Sequence, residues 1–126
     1  MDNKKILSLI KKGESQNLEF KSTFQKEVIE TIVAFANTSG GKIIIGVNSE
    51  GIIKGVQIKT ETLSEWINQV KINTQPNIIP DIEEVEIKNK KIAVITVAEY
   101  PVKPIAYKNR YFWEPRFLRL VPIQGT

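Results

Sequence analysis

The run "KIIIGV" at residues 42–47 constrains the fold more than any other part of the chain. Successive side chains of a strand point to opposite sides of the sheet, so three consecutive isoleucines cannot all face one core. Such a run is stable where both sides are covered. It therefore predicts a central strand with a layer of structure above and below it. The stretch before it is helical in pattern. Ser22 and Gln25 have capping-box spacing and predict a helix opening there and running to about Asn37. Its apolar stripe is Val28, Ile32, Phe35 and Ala36, widened by Ile29 and Val33. "TSGG" closes the helix, since glycine accepts the left-handed backbone of a helix C-terminus.

The other elements follow from similar signals. "MDNKKILSLIKKG" predicts an amphipathic first helix with Ile6, Leu7 and Ile10 on one face, stopped at Gly13. Its short apolar patch is followed by no small-residue cleavage site, so it does not read as a secretory signal. "NLEFK" alternates, with Leu18 and Phe20 pointing one way and Glu19 and Lys21 the other. "NSEG" is a turn, with "IIKGV" expected as the returning strand of a hairpin. A helix is expected from Thr62, with Glu65 as its capping-box partner and Leu63, Trp66, Ile67 and Val70 as its buried stripe. Pro76 and Pro80 mark a loop. "IEEVEI" and "KIAVITVA" then flank "KNK" as a further hairpin. From Tyr100 the chain reads as loop with one short strand around "AYKNRYFW". The sum is an α/β (α+β) fold: a single domain over residues 1–126 with about three helices and a mixed or antiparallel sheet. A chain of this length buries roughly two-thirds of the surface its unfolded form exposes.

Composition narrows the chemistry. The chain has no cysteine and no histidine. Disulfides, thiol nucleophiles, Cys/His zinc sites and triads built on histidine are thereby excluded. No stretch approaches the roughly 20 apolar residues of a membrane span, and a cytoplasmic location is the expectation. The net charge is +4, and its distribution matters more than its size. Residues 101–119 hold Lys103, Lys108, Arg110, Arg116 and Arg119 against one acid, Glu114, and include every arginine of the chain. Half of its aromatic residues lie there too: Tyr107, Tyr111, Phe112, Trp113 and Phe117. The acids gather instead in "DIEEVEI". "TSGGK" is not a phosphate loop. That motif needs a glycine where Ala36 stands and a Ser or Thr where Ile43 stands, followed by a helix rather than a strand. Asn37 reads as a helix-end cap, and the lysines of "KKG" and "KNKK" read as solvated turns, with a wider basic face as the alternative.

"ESQNLEFKSTF" (residues 14–24), followed by "TIVAFANTSGGKIIIGVNSEGIIKGV", resembles the Schlafen AlbA-type domain. That domain is regarded as a DNA-binding module of archaeal and bacterial regulator-like proteins and is related to the Schlafen core. The resemblance is carried by residues 14–56 and thins beyond them, and the chain reads as the bare module. It implies nucleic-acid binding and, in some branches, a divalent-metal-dependent endoribonuclease built on three acids. Two of these match Glu14 and Glu19; the third position is Asn48 here. An asparagine lends an oxygen but no charge to Mg²⁺ or Mn²⁺, which weakens such a site. Glu50 would replace the missing acid only if the turn bent it back.

Three functional readings follow. The favoured one is a nucleic-acid-binding module (DNA or RNA) without robust catalysis and with no cofactor. It would use Lys21, Lys103, Lys108, Arg110, Arg116 and Arg119 on phosphates, with Tyr107 or Tyr111 stacking on bases. It would act as a homodimer that doubles the contacts. The second is the endoribonuclease, with Glu14 and Glu19 as catalytic and metal-holding residues. The third is a protein-assembly module with an apolar patch at Phe112, Trp113 and Phe117.

Overall fold

The central strand is present and everything else is arranged about it. In the computed structural model, which describes residues 2–101, 103–107, 110–111 and 121–122, β2 (Gly41–Ile45) lies between β1 (Leu18–Lys21) and β5 (Lys90–Val97). β1 runs parallel to β2, with Glu19 opposite Ile43 and Lys21 opposite Ile45. β5 and then β4 (Asp81–Ile87) add antiparallel, giving the order β1-β2-β5-β4. The isoleucines divide between two cores. Ile44 packs with Leu18, Phe20, Val85, Ile92 and Val94 under α1 (Asn3–Lys12), which contributes Ile6 and Ile10. Ile43 and Ile45 pack on the opposite face with Ala93, Ile95 and the whole apolar stripe of α2 (Lys26–Asn37). Each of the three is 0 % exposed, and burying such a side chain contributes roughly 1.5–3 kcal/mol.

Local details differ from the sequence reading at four places. α2 begins at Lys26 rather than Ser22, and Gln25 occupies the cap position without a side-chain hydrogen bond. α3 (Thr62–Ile72) begins where expected, but Thr62 is its first residue, and its Oγ1 accepts from the Lys59 N–H at 2.8 Å instead of capping towards Glu65. Within its stripe Val70 is buried, Leu63, Trp66 and Ile67 are half-buried, and Trp66 stacks on Phe24 with ring centroids 4.9 Å apart. The returning strand after "NSEG" is reduced to a single bridge, Val47 with Ile53. Both edges of β2 are already taken by β1 and β5, so the 52–56 segment has no strand to pair with. It crosses over instead, bonding to the Gly46 and Lys91 carbonyls.

The fourth difference is the tail. Rather than one short strand it supplies β6 (Ala106–Tyr107), β7 (Arg110–Tyr111) and β8 (Val121–Pro122). With β3 (Thr74–Gln75) they form a second, antiparallel sheet in the order β3-β6-β7-β8. β6 lies across α2, and Asn37 secures it. The Asn37 Nδ2 donates to the Ile105 carbonyl at 2.9 Å, and its Oδ1 accepts the Ile105 N–H at 2.6 Å. Asn37 is therefore a buried clamp on the tail rather than a helix-end cap. Replacing it by alanine leaves both backbone groups of Ile105 buried with no side-chain partner. Asn37→Ala is expected to cost about 2–4 kcal/mol in urea unfolding, and a loss below about 1 kcal/mol would show that the tail is held by other contacts.

Candidate functional site

The five-residue spacing of Glu14 and Glu19 is closed by a tight turn. Ser15 and Leu18 form an antiparallel bridge, with N–H to carbonyl distances of 3.0 and 3.3 Å. Asn17, at its tip, is tied to the α2–β2 connection through Nδ2, which donates to Ser39 Oγ and the Gly40 carbonyl. The chain before the turn thus folds back along the outer edge of β1, and Glu14 Oε2 accepts the Phe20 N–H at 2.9 Å. That bond places the Glu14 carboxylate within roughly 5–6 Å of the Glu19 Cα, since one peptide unit separates the two. Glu14 has a structural task here as well: it covers a strand edge that would otherwise present an unpaired donor. Glu19 is 9 % exposed and points to the α2 side of the sheet, as its register beside Ile43 requires.

The third position of the acid set is occupied differently. Asn48 lies beyond Gly46, whose φ of 104° turns the chain out of the strand. Its Oδ1 accepts from the Glu50 and Ile52 N–H groups at 2.9 and 3.0 Å, the pattern of an Asx turn. The oxygen that would serve a metal is thus engaged in the turn's own bonding, and Glu50 stands exposed at its tip. Among the described residues no group of three carboxylate, histidine or cysteine side chains is gathered where it could hold a metal ion.

The lysine of "EFK", opposite Ile45 on β1, and Tyr107 at the start of the tail both lie on the α2 side of the sheet. Burial raises the Glu30 carboxyl above the ordinary glutamate range. Lys26 opposes the rise, Glu27 adds to it and Lys21 opposes it. Burial also raises the Tyr107 hydroxyl, with Glu30 and Glu27 contributing. Lys21 on β1, Glu27 and Glu30 on α2, and Tyr107 on β6 therefore share one electrostatic neighbourhood. Tyr107, expected above as a stacking platform, is a core residue: it is 6 % exposed and packed with the α2 cluster. Lys103 is also engaged, in an ion pair with Glu99. Arg110 and Tyr111 are placed only as the backbone of β7. Lys108, Arg116, Arg119 and the Phe112, Trp113 and Phe117 patch lie outside the described residues.

Sequence reasoning missed a cleft of about 510 Å³ beside Glu14. Leu9, Leu18 and Val97 supply its apolar wall, and Lys12 and Lys42 stand at its margin with the 40–41 glycines. The Lys42 ammonium donates to Thr96 Oγ1 at 2.9 Å. The glycines themselves answer to packing rather than to a phosphate. A Cβ on Gly41 would come within 2.7 Å of the Phe35 ring, and one on Gly40 within 2.7 Å of the Val97 carbonyl. The signal was the Gly-Gly pair ahead of a fully buried strand, which marks a close approach of backbones.

The profile of the Schlafen, AlbA_2 family matches residues 14–118. The chain belongs to this family. No curated protein sequence matches it. Among solved structures, it is similar to the DIP2311 protein from Corynebacterium diphtheriae. The TM-score is 0.68 at 16 % identity, over 92 % of this chain and 25 % of that one. It is also similar to the N-terminal domain of a protein from Nitrosomonas europaea named for its relation to the ATP-dependent DNA helicase RecG. Here the TM-score is 0.66 at 22 % identity, over 82 % of this chain and 78 % of that domain. At such identities the likeness is one of fold. The chain spans a quarter of the length of the Corynebacterium protein. Among the described residues no helix is long and apolar enough to cross a membrane.

The raised Glu30 carboxyl carries a pH prediction. Over the interval between its ordinary and its raised value the folded state binds more protons than the unfolded one. Stability therefore falls as pH rises through that interval. Glu30→Gln removes this penalty. It is expected to melt at a higher temperature than the wild type at pH 7, with the difference closing as the pH is lowered through the glutamate range. A variant less stable at pH 7 would show that the attraction of Lys26 and Lys21 outweighs burial.

Proposed function

We propose that this chain is a nucleic-acid-binding module that grips the phosphate backbone with little sequence preference and does not depend on cleavage. The observation that carries the reading is a family member whose arginines all lie in one segment, residues 101–119, with the first strand of that segment held on α2, the layer that Lys21 also faces. Lys21, Lys108, Arg110, Arg116 and Arg119 are the proposed phosphate contacts, with Tyr111 as the stacking residue. Lys103 joins them by exchanging Glu99 for a phosphate. The RecG-related name of the Nitrosomonas protein supports a role beside DNA. A cytoplasmic homodimer is the proposed form, since two copies double the phosphate contacts.

A second reading keeps one specific observation. The turn at Ser15 folds Glu14 back along the strand that carries Glu19, which supports a two-carboxylate reading. Against robust catalysis stand the engagement of Glu14 by Phe20 and of Asn48 by its own turn. Were a divalent ion held here, Glu14 and Glu19 would be its ligands, and it would supply an activated water for phosphodiester hydrolysis.

The test follows binding and cleavage of labelled duplex DNA and single-stranded RNA at 50 and 200 mM salt, with Mn²⁺ or with EDTA. Six to ten phosphate contacts per dimer predict an affinity loss of about 10³–10⁵ between these salt concentrations, equal with and without metal. A shallow salt dependence overturns the binding reading. Cleavage that requires Mn²⁺ and disappears in Glu19→Gln establishes the nuclease instead, and neither binding nor cleavage points to an assembly module.

A further inference from the structure

The lysines that read as solvated turns in sequence are not scattered in space. The 54–60 segment and the β4–β5 hairpin lie about thirty residues apart, yet they are sewn together. The Val56 N–H donates to the Lys91 carbonyl at 2.8 Å, and the Lys90 ammonium donates to the Ile53 carbonyl at 3.2 Å. Gly55, with φ of 82°, lets the two backbones close: a Cβ there would meet the Lys90 Cβ at 3.2 Å. Three shallow hollows run in series along this seam. One is lined by Lys88 and Lys90, the next by Lys54, Lys90 and Lys91, and the last by Lys59 and Lys91 with Glu84. They share Lys90 and Lys91 as the ridges between them.

β4 carries the acids Asp81, Glu83, Glu84 and Glu86, but Asp81 and Glu83 pair with Thr96 and Val94, away from the hairpin turn, and the turn end of the seam holds Lys54, Lys88, Lys90 and Lys91. Glu84 lies 3.7 Å from Lys91 and answers that lysine. Glu86 stands opposite Lys91 across the hairpin. Among the described residues no carboxylate lies within ion-pair distance of Lys54, Lys59 or Lys88, and all three are exposed. Lys88 sits at the hairpin tip with φ of 53° and Asn89 with φ of 64°, so the tip is a tight two-residue turn that projects its side chains from a firm base. Lys90, beside Ile87, faces the α1 side of the sheet, and Lys91, beside Glu86, faces the α2 side. The lysines thus follow the end of the sheet from one face round to the other, a path that suits a ligand with many charges along its length. It does not suit a single small anion, which needs donors converging from several sides.

We infer that the seam between the 54–59 segment and the β4–β5 hairpin is a second phosphate-binding surface, along which Lys54, Lys59, Lys88 and Lys90 contact the backbone of a nucleic acid. The inference rests on the nucleic-acid reading above and extends it beyond the arginine-bearing tail. The ligand chemistry is the phosphodiester backbone, and duplex DNA and single-stranded RNA of equal length are its two sources.

The test compares the salt dependence of binding to both probes for three proteins. These are the wild type, the seam variant Lys54→Gln/Lys59→Gln/Lys88→Asn and the control Lys4→Gln/Lys5→Gln/Lys71→Gln, which removes the same charge from exposed positions elsewhere. Asparagine is chosen at position 88 because it tolerates the left-handed backbone there. Each lysine on a phosphate contributes roughly one to the slope of log K against log salt. The seam variant is expected to lose about two to three of that slope on the preferred probe, while the control keeps the wild-type slope. Lys54→Gln alone, on an exposed loop position, is expected to lose about one, and provides the same reading should the triple variant not fold. A seam variant indistinguishable from the control, with the wild type binding normally, overturns this inference and leaves the proposed function standing. A wild type that binds neither probe overturns both.

Discussion

Strand β2 has neighbours on all four sides: helices and side chains over both faces, β1 and β5 along both edges. The rest of the architecture depends on that enclosure. With both edges of β2 taken, the segment after Asn48 cannot return as a strand and is diverted across the top of the sheet to the Lys91 carbonyl. With both faces taken, α2 must lie flat on one of them, and its far end is left to carry a second sheet. The glycines at 40 and 41 belong to the same enclosure. They are small because the Phe35 ring and the Val97 carbonyl press against them.

Polar groups placed against this apolar frame are held by specific bonds, and those bonds shape the functional surfaces. Asn37 stands at the end of an apolar stripe and is matched to both backbone groups of Ile105, so a buried amide becomes the anchor of the tail. Glu14 satisfies the Phe20 N–H on the outer edge of β1, which draws it towards Glu19. Asn48 spends its oxygen on two N–H groups of its own turn. A carboxylate at position 48 could cap the same turn, but with a negative charge to offer a metal. The asparagine keeps the turn and drops the charge.

Much of the frame was legible along the chain. The triple isoleucine, the apolar stripe of α2, the alternation of "LEFK" and the "KNK" hairpin are local patterns, and each became the expected element. The misreadings were local competitions that sequence alone does not decide. Ser22 had the spacing of a cap, but the helix began four residues later. Thr62 took its hydrogen bond from Lys59 before it instead of from Glu65 after it. "IIKGV" had the composition of a strand and no free edge to join. Of the site, the Glu14–Glu19 spacing and the basic balance of the tail were readable. The burial of Tyr107 was not, because whether an aromatic on a short strand is covered depends on what lies across it.

The sequence by itself determined the elements, the central strand, the missing acid at position 48 and the exclusion of thiol and imidazole chemistry. Those properties are written in side-chain type and in spacings of two to four residues. Only the tertiary structure decided that Asn37 holds Ile105, that Lys21 and Tyr107 share a neighbourhood through Glu30, and that Lys54 and Lys88 flank one seam. Each of these joins residues dozens of positions apart. Their meeting is fixed by how layers pack around β2, and no local period encodes it.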